Sequence, residues 1–161
     1  MDRTYHIALV GCGFAGTSAL FQLVDRWPVR KITVFEASGR FGPGYPYARE
    51  ECPDYLINNT TGTMCLTPSN RRAFAMWLRG RPDLLPEVDE EGHLPRRLYG
   101  AFLEDVVAAA RTAAAIKGIA VDLVAAEVTD IEEDAEGRVT LRWPGGEVTA
   151  DKAILTTGRC P

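Results

Sequence analysis

Six residues near the amino terminus, Gly11-Cys12-Gly13-Phe14-Ala15-Gly16, constrain this chain more than any other stretch. They form a G-x-G-x-x-G, a pattern whose meaning depends on its flanks. Before it, Thr4 to Val10 is a short apolar run rich in strand formers, the composition of a strand buried in a parallel sheet. After it, Ala15, Ala19, Leu20, Leu23 and Val24 recur at three- and four-residue spacing, which predicts a helix from Phe14 to about Arg26, closed by Trp27-Pro28. Lys31 to Phe35 reads as a second strand. Such a unit folds with parallel strands and a right-handed crossover. In it Gly11 permits the tight turn, Gly13 lets the backbone approach a pyrophosphate, and Gly16 lets the helix pack on the strand. The free amides opening the helix at Phe14 and Ala15, and its dipole, face the phosphate anion. Glu36 ends the second strand, twenty residues after Gly16. A carboxylate there can accept hydrogen bonds from both hydroxyls of an adenosine ribose and repels a 2′-phosphate, favouring FAD or NAD over NADP. The plainer alternative is a glycine turn in a non-binding α/β protein with Glu36 merely solvated; the flanking elements and the spacing together argue against it. Cys12 occupies a permissive loop position with no base beside it.

At 161 residues the chain can bury one sizeable core but has no room for a second full domain, so residues 1–161 are read as a single domain. The 18 basic and 22 acidic side chains leave a net charge of −4, and Arg71-Arg72 and Arg96-Arg97 are no more than pairs, so no nucleic-acid footprint is expected. No apolar run approaches the roughly 20 residues of a membrane span, and Met1-Asp2-Arg3 leads straight into a strand rather than a signal peptide. A cytoplasmic protein with no membrane partner is the expectation. Cys12, Cys52, Cys65 and Cys160 form no C-x-x-C and lie far in sequence from His6 and His93, so no metal site is expected. Reduced, mostly buried thiols are the reading, with a Cys52–Cys65 disulfide as the alternative.

From Gly39 to about Arg97 regular patterning is lost to repeated Gly and Pro, apart from a helix predicted over Asn70 to Leu78 with Ser69 or Asn70 as its cap. An irregular insertion of this length inside a compact domain is usually functional or packs against something further. Tyr45, Tyr47, Tyr55, Leu56, Ile57 and Trp77 make it too apolar for a linker. A second long helix is predicted from about Leu98 to Lys117, its buried face formed by Leu98, Phe102, Val106, Ala109, Ala113 and Ile116, stopped by Gly118. Residues 119–124 read as a strand. Residues 126–132, 138–143 and 147–150 then alternate across turns, an antiparallel β-meander over about 126–150, before a final strand at Ala153-Ile154-Leu155. The fold class is α/β, a Rossmann-like parallel sheet with a small meander.

A simple NAD domain would return to a third strand soon after Glu36; this chain does not. Its glycine loop and Glu36, Gly44-Tyr45-Pro46-Tyr47, Leu56-Ile57-Asn58-Asn59 leading to Met64, Phe74 to Leu78, Leu94-Pro95-Arg96-Arg97-Leu98-Tyr99-Gly100 and the closing Leu155-Thr156-Thr157-Gly158 together resemble the FAD-NAD(P)-binding family of flavoprotein oxidoreductases. The resemblance spans nearly the whole chain. It implies FAD with its adenine end over the glycine loop and Glu36 on the adenosine ribose. It also implies Arg96 near the cofactor or the core beneath it, backbone around Val128 along the adenine pocket, and Thr157-Gly158 at the pyrophosphate. Two readings stand for Arg96, that one and a helix-start cation or surface ion pair. Asn58 and Asn59 could bond the flavin side or cap their own backbone. Tyr45, Tyr47 and Tyr99 read as packing residues.

Family members continue into a nicotinamide-binding domain, and no second G-x-G-x-x-G stands in a strand–helix setting here. The NAD(P)H that would donate electrons therefore has its site outside this chain. No nucleophile elbow, metal-spaced His/Glu motif or G-K-[ST] is present, and no residue is assigned as general acid or base. The expected function is the FAD-binding portion of an NAD(P)H-dependent oxidoreductase or monooxygenase, completed by a missing domain or a partner chain. The alternatives are a non-catalytic partner module of a larger oxidoreductase and a stand-alone NAD-binding enzyme.

Overall fold

Residues 4–48 and 54–158 are described by a computed structural model. The chain orders as β1 (Tyr5–Val10), α1 (Phe14–Arg26), β2 (Val29–Phe35), a single turn α2 (Gly44–Tyr47), α3 (Ala73–Arg79), α4 (Arg96–Ile116), β3 (Ala120–Val124), β4 (Asp130–Glu133), β5 (Val139–Trp143), β6 (Gly146–Ala150) and β7 (Lys152–Leu155). β1 and β2 pair in parallel around α1, with Ile7 opposite Ile32 and Leu9 opposite Val34. β2 starts two residues before the sequence reading because Val29 is buried and belongs to the core. β3 joins β2 and β7 joins β1, so the sheet runs β3-β2-β1-β7 with every strand parallel. Strand order reverses direction at β1, and in open α/β sheets ligands bind beyond the carboxyl ends of the strands at such a point.

Two layers cover this sheet, as parallel strands require. On one face α1 and α4 bury Leu9, Leu20, Val24, Ile32, Val34, Val107 and Ala110. On the other, the antiparallel β4-β5-β6 meander sets Val139, Leu141 and Ala150 against Ala8 and Phe35, with the Phe35 and Trp143 rings 5.0 Å apart. The meander's first strand begins only at Asp130, four residues later than the alternation suggested, because Ala126 bonds back to the Val124 carbonyl and turns the chain out of the parallel sheet.

The irregular insertion builds its own core on the amino-terminal half of α4. Phe74, Tyr99 and Phe102 meet at ring separations of 5.0–5.5 Å, joined by Leu78, Leu98 and Leu103. This second contact rotates α4 relative to the predicted face. Of the predicted face Leu98 and Phe102 are buried and Val106 and Ala113 pack partly on the core, but the stripe also takes in Tyr99, Leu103, Val107, Ala110 and Ala114, while Ile116 is 83% exposed and Ala109 lies on the solvent side. The short helix begins at Ala73 rather than Asn70, and Arg72, not Ser69 or Asn70, sits at its cap without a side-chain bond. Tyr45, Tyr55 and Leu56 are exposed, against the expectation that they would be buried, whereas Ile57 is in the core. Among the described residues no helix is long and apolar enough to cross a membrane. Cys12 and Cys65 carry free thiols; Cys52 and Cys160 lie outside the described residues.

His6 is buried between the sheet and the meander, its Nε2 2.8 Å from the Thr33 hydroxyl. Burial first, then the charges of Lys31 and Arg30, pull its pKa below the ordinary value, and a Thr149 backbone contact and Asp151 only partly oppose them. A depressed imidazole is neutral in the fold while the unfolded chain takes up the proton below pH about 6.5, so stability is full above that pH and falls as pH drops below it. Urea midpoints measured from pH 7.5 to 5 should therefore decline on the acid side, and His6→Gln should flatten that decline. A wild-type profile with no acid-side dependence assignable to His6 would exclude this linkage.

Candidate dinucleotide site

Three chain segments meet at one point beyond the carboxyl ends of β1 and β7. Gly11 leaves β1 with φ +91°, a conformation L side chains avoid, and a β-carbon there would lie 2.5 Å from the Thr156 carbonyl oxygen. A β-carbon on Gly16 would lie 2.2 Å from the Gly11 carbonyl oxygen, so only glycine lets α1 start this close to the strand. Thr156 closes the junction: its hydroxyl donates to the Gly11 carbonyl at 2.7 Å, and its amide donates to Val10 at 2.8 Å. The result is a helix amino terminus fixed at the end of β1. Gly13 occupies its cap with no side-chain hydrogen bond and no acidic residue follows in the first turn, so the opening amides and the dipole are available to an anion. Phe14 and Ala15 sit exposed on that turn. The Cys12 thiol is buried beneath the loop, and burial pushes its pKa up to about 11, which leaves it protonated and unreactive.

Glu36 stands at the end of β2 beside this loop. Its Oε2 accepts from the Cys12 amide at 2.8 Å, and its Oε1 accepts from the Ser38 amide at 3.1 Å and the Ser38 hydroxyl at 2.8 Å. The fold thus brings carboxylate and glycine loop into direct contact. Thr157 and Gly158 follow β7 at the same end of the sheet; both are exposed, and Gly158 takes φ +73°. Val128 is half-buried and packs against the meander core.

Arg96 stands at the first turn of α4. Its Nε donates to the Leu56 carbonyl at 3.0 Å, a terminal nitrogen donates to Asn58 Oδ1 at 3.1 Å, and the guanidinium lies 5.8 Å from the Tyr55 ring. With the Leu56–Pro95 bridge, these contacts sew the 55–58 segment to the start of α4. Asn58 therefore serves Arg96 in this structure rather than its own backbone. The ordinary place for a cation is a helix carboxyl end, not its amino end, so the Leu56 and Asn58 acceptors compensate an unfavourable dipole position.

One component escaped sequence reasoning. The Gly42 amide donates to the Cys12 carbonyl at 2.7 Å, and Gly44 lies against Gly13, where a β-carbon on residue 13 would come 3.3 Å from the Gly44 Cα. The 42–47 strap is thus a second wall to the phosphate loop. The glycines flanking Pro43 were the available signal. A side chain at position 13 would require this wall to give by a few tenths of an ångström.

Among the described residues no cluster of His, Cys, Asp and Glu could hold a metal ion. A model of the FAD-NAD(P)-binding family matches residues 8–160. No curated protein matches the sequence. Similar solved structures include S-allyl-L-cysteine S-oxygenase from Allium sativum at 17% identity and TM-score 0.65, covering 96% of this chain and 36% of that one. Cyclohexanone monooxygenase matches at 19% and 0.65, covering 98% and 26%, and CtdE in complex with FAD at 15% and 0.58, covering 96% and 38%. At these identities the likeness is one of fold, and the chain spans well under half the length of each.

The junction makes a stability prediction. Gly16→Ala drives a methyl into a backbone carbonyl that cannot move independently of β1, so the loss should reach about 3 kcal/mol, the upper end of overpacking costs. Ala15→Ser, one residue away on the exposed side, should change stability by less than about 0.5 kcal/mol. Urea denaturation of both variants checks this; equal midpoints would show that α1 does not depend on the close approach.

Proposed function

The chain belongs to the FAD-NAD(P)-binding family, and from that premise we propose that it is the FAD-binding portion of an NAD(P)H-dependent flavoprotein oxidoreductase of monooxygenase type. The observation that carries the reading is the contact between Glu36 and the glycine loop at the open amino terminus of α1. It sets an anion acceptor and a ribose acceptor side by side at the point where the sheet order reverses. In this reading the loop amides of Gly13, Phe14 and Ala15, with Gly11 and Gly16 shaping the turn, hold the pyrophosphate. Thr157 and Gly158 approach it from β7, backbone near Val128 borders the adenine, and Arg96 with Asn58 lies toward the flavin end. The bound flavin would supply the electron-transfer chemistry, while these residues bind, orient and shield it. Glu36 selects against a 2′-phosphate by like-charge repulsion, which favours FAD over an NADP-type ligand at this site.

The same reading places the nicotinamide site and the remaining flavin environment on a further domain or a partner chain. What supports this is an uncovered edge. Among the described residues β7 pairs on one side only, and beside it a groove of about 390 Å³ lined by Ile7, Ala19, Leu23, Trp27 and Ile154 continues the helix-covered face of the sheet. Trp27 is 62% and Leu155 61% exposed. A parallel strand is normally flanked and covered on both faces, and an apolar edge left open is prone to association. The isolated chain should accordingly self-associate in sedimentation experiments, and Ile154→Lys should return it to the monomer. A wild-type chain that is monomeric at every concentration would count against a normally covered edge.

The cofactor test is spectroscopic. After incubation with FAD and desalting, the chain should retain a visible flavin band, and Glu36→Arg should weaken FAD binding by on the order of 1–3 kcal/mol through loss of a charged hydrogen bond. No retained band and no titration response in the wild type would overturn the assignment of FAD to these residues.

A further inference from the structure

Glu36 does not face the ligand side unrestrained. The turn after β2 folds back on it: Gly39 donates its amide to the Glu36 carbonyl at 3.1 Å, and both the amide and the hydroxyl of Ser38 converge on Oε1. The Ser38 hydroxyl in turn accepts from the Arg40 amide at 3.2 Å. Its one proton is therefore directed to Glu36. Arg40 pairs with Glu104 on α4 at 2.8 Å, both half-buried, so the turn is anchored to a helix rather than left to solvent. On the other oxygen, Oε2, the Cys12 amide takes one position. Of the roughly four lone-pair positions of a carboxylate, three are filled by the chain itself, and the one remaining is on Oε2, the oxygen nearest the glycine loop.

We propose that Ser38 is the positioning residue of the adenosine end, holding the Glu36 carboxylate so that Oε2 alone receives the ribose, through a single hydroxyl. This rests on the dinucleotide reading above and narrows it, since a free carboxylate could accept from both hydroxyls. Oε1 is closed by Ser38, and the Cys12 amide fixes the rotation that presents Oε2 at the loop. Ser38 itself touches no ligand. Its effect passes through Glu36, so without Ser38 the carboxylate swings between rotamers, and each of its oxygens becomes open to either hydroxyl.

The experiment is calorimetric titration of the chain with ADP, 2′-deoxy-ADP and 3′-deoxy-ADP, which carry the adenosine end without the flavin. For the wild type, removing one of the two hydroxyls should weaken binding about tenfold, the worth of one charge-assisted hydrogen bond, and removing the other should leave it unchanged. Ser38→Ala should weaken ADP several-fold and erase the difference between the two deoxy analogues, and Ser38→Thr, which keeps the hydroxyl, should restore both. In a Glu36→Ala background, Ser38→Ala should add nothing, an outcome that a general loosening of the turn would not give. Unchanged ADP affinity in Ser38→Ala, or equal losses for both deoxy analogues in the wild type, overturns the role of Ser38 while leaving the dinucleotide site in place. A wild-type chain that binds none of the three nucleotides overturns the dinucleotide reading, and the role of Ser38 with it.

Discussion

The closeness of α1 to the end of β1 governs the architecture. Because residue 16 has no side chain, the helix starts within van der Waals distance of the Gly11 carbonyl, and the same carbonyl accepts the Thr156 hydroxyl from β7. One oxygen thus locates the helix, the loop and the last strand. Shift it, and the amides at the start of α1 no longer point past the sheet, β7 loses its hydrogen bond to the loop, and the Cys12 amide leaves Glu36. Few of these interactions are worth more than about 1.5 kcal/mol singly. Their strength as a set comes from sharing atoms, so the geometry cannot relax at one contact without cost at the others.

That sharing also explains which parts were legible in the sequence. The βαβ unit is specified by local signals that agree with one another: apolar runs of strand length, a helical apolar stripe, glycines at the turn and a carboxylate at a set distance. Its boundaries match within two residues. The face of α4 was misread at Ala109 and Ile116 because its pattern serves two clients. The carboxyl half packs on the sheet through Val107, Ala110 and Ala114, while the amino half packs on Phe74 and Leu78 of the insertion. A single periodicity fitted to the whole helix falls between the two and selects Ala109 and Ile116, which face water. Position 100 shows the same dependence on long-range contact. A β-carbon at Gly100 would lie 2.1 Å from the Tyr47 carbonyl, so the glycine ending the Leu-Tyr-Gly run is required by a strap more than fifty residues away. Nothing local to α4 announces it.

The exposed aromatics of the insertion carry a different lesson. Tyr45, Tyr55 and Leu56 are apolar enough to suggest burial, yet the insertion's own core is complete without them, formed by Ile57, Met64, Leu66, Phe74 and Leu78 against α4. Sequence reports how apolar a residue is and not whether the surface it prefers belongs to the same chain. Tyr55 and Leu56 lie beside Arg96 and Asn58, whereas Tyr45 stands on the strap next to the glycine loop. Two separate apolar surfaces are therefore open, one at the proposed flavin end and one along the sheet edge.

The two ends of the proposed site consequently differ in kind. At the adenosine end the recognition elements are short and fixed: loop amides, and a carboxylate held by two amides and the Ser38 hydroxyl on a turn tied to α4 by the Arg40–Glu104 ion pair. Such groups need little reorganisation to receive a ligand, which limits the entropic cost of binding. At the flavin end the polar anchors are long side chains, and the apolar surface around them stands in water. A flat aromatic ring laid on that surface would gain from desolvation, roughly in proportion to the apolar area covered. Full enclosure of such a ring would still need more wall than Tyr55 and Leu56 provide. Affinity in this chain should thus come chiefly from the adenosine diphosphate half of the cofactor, and control of the flavin's reactivity from whatever covers the other half.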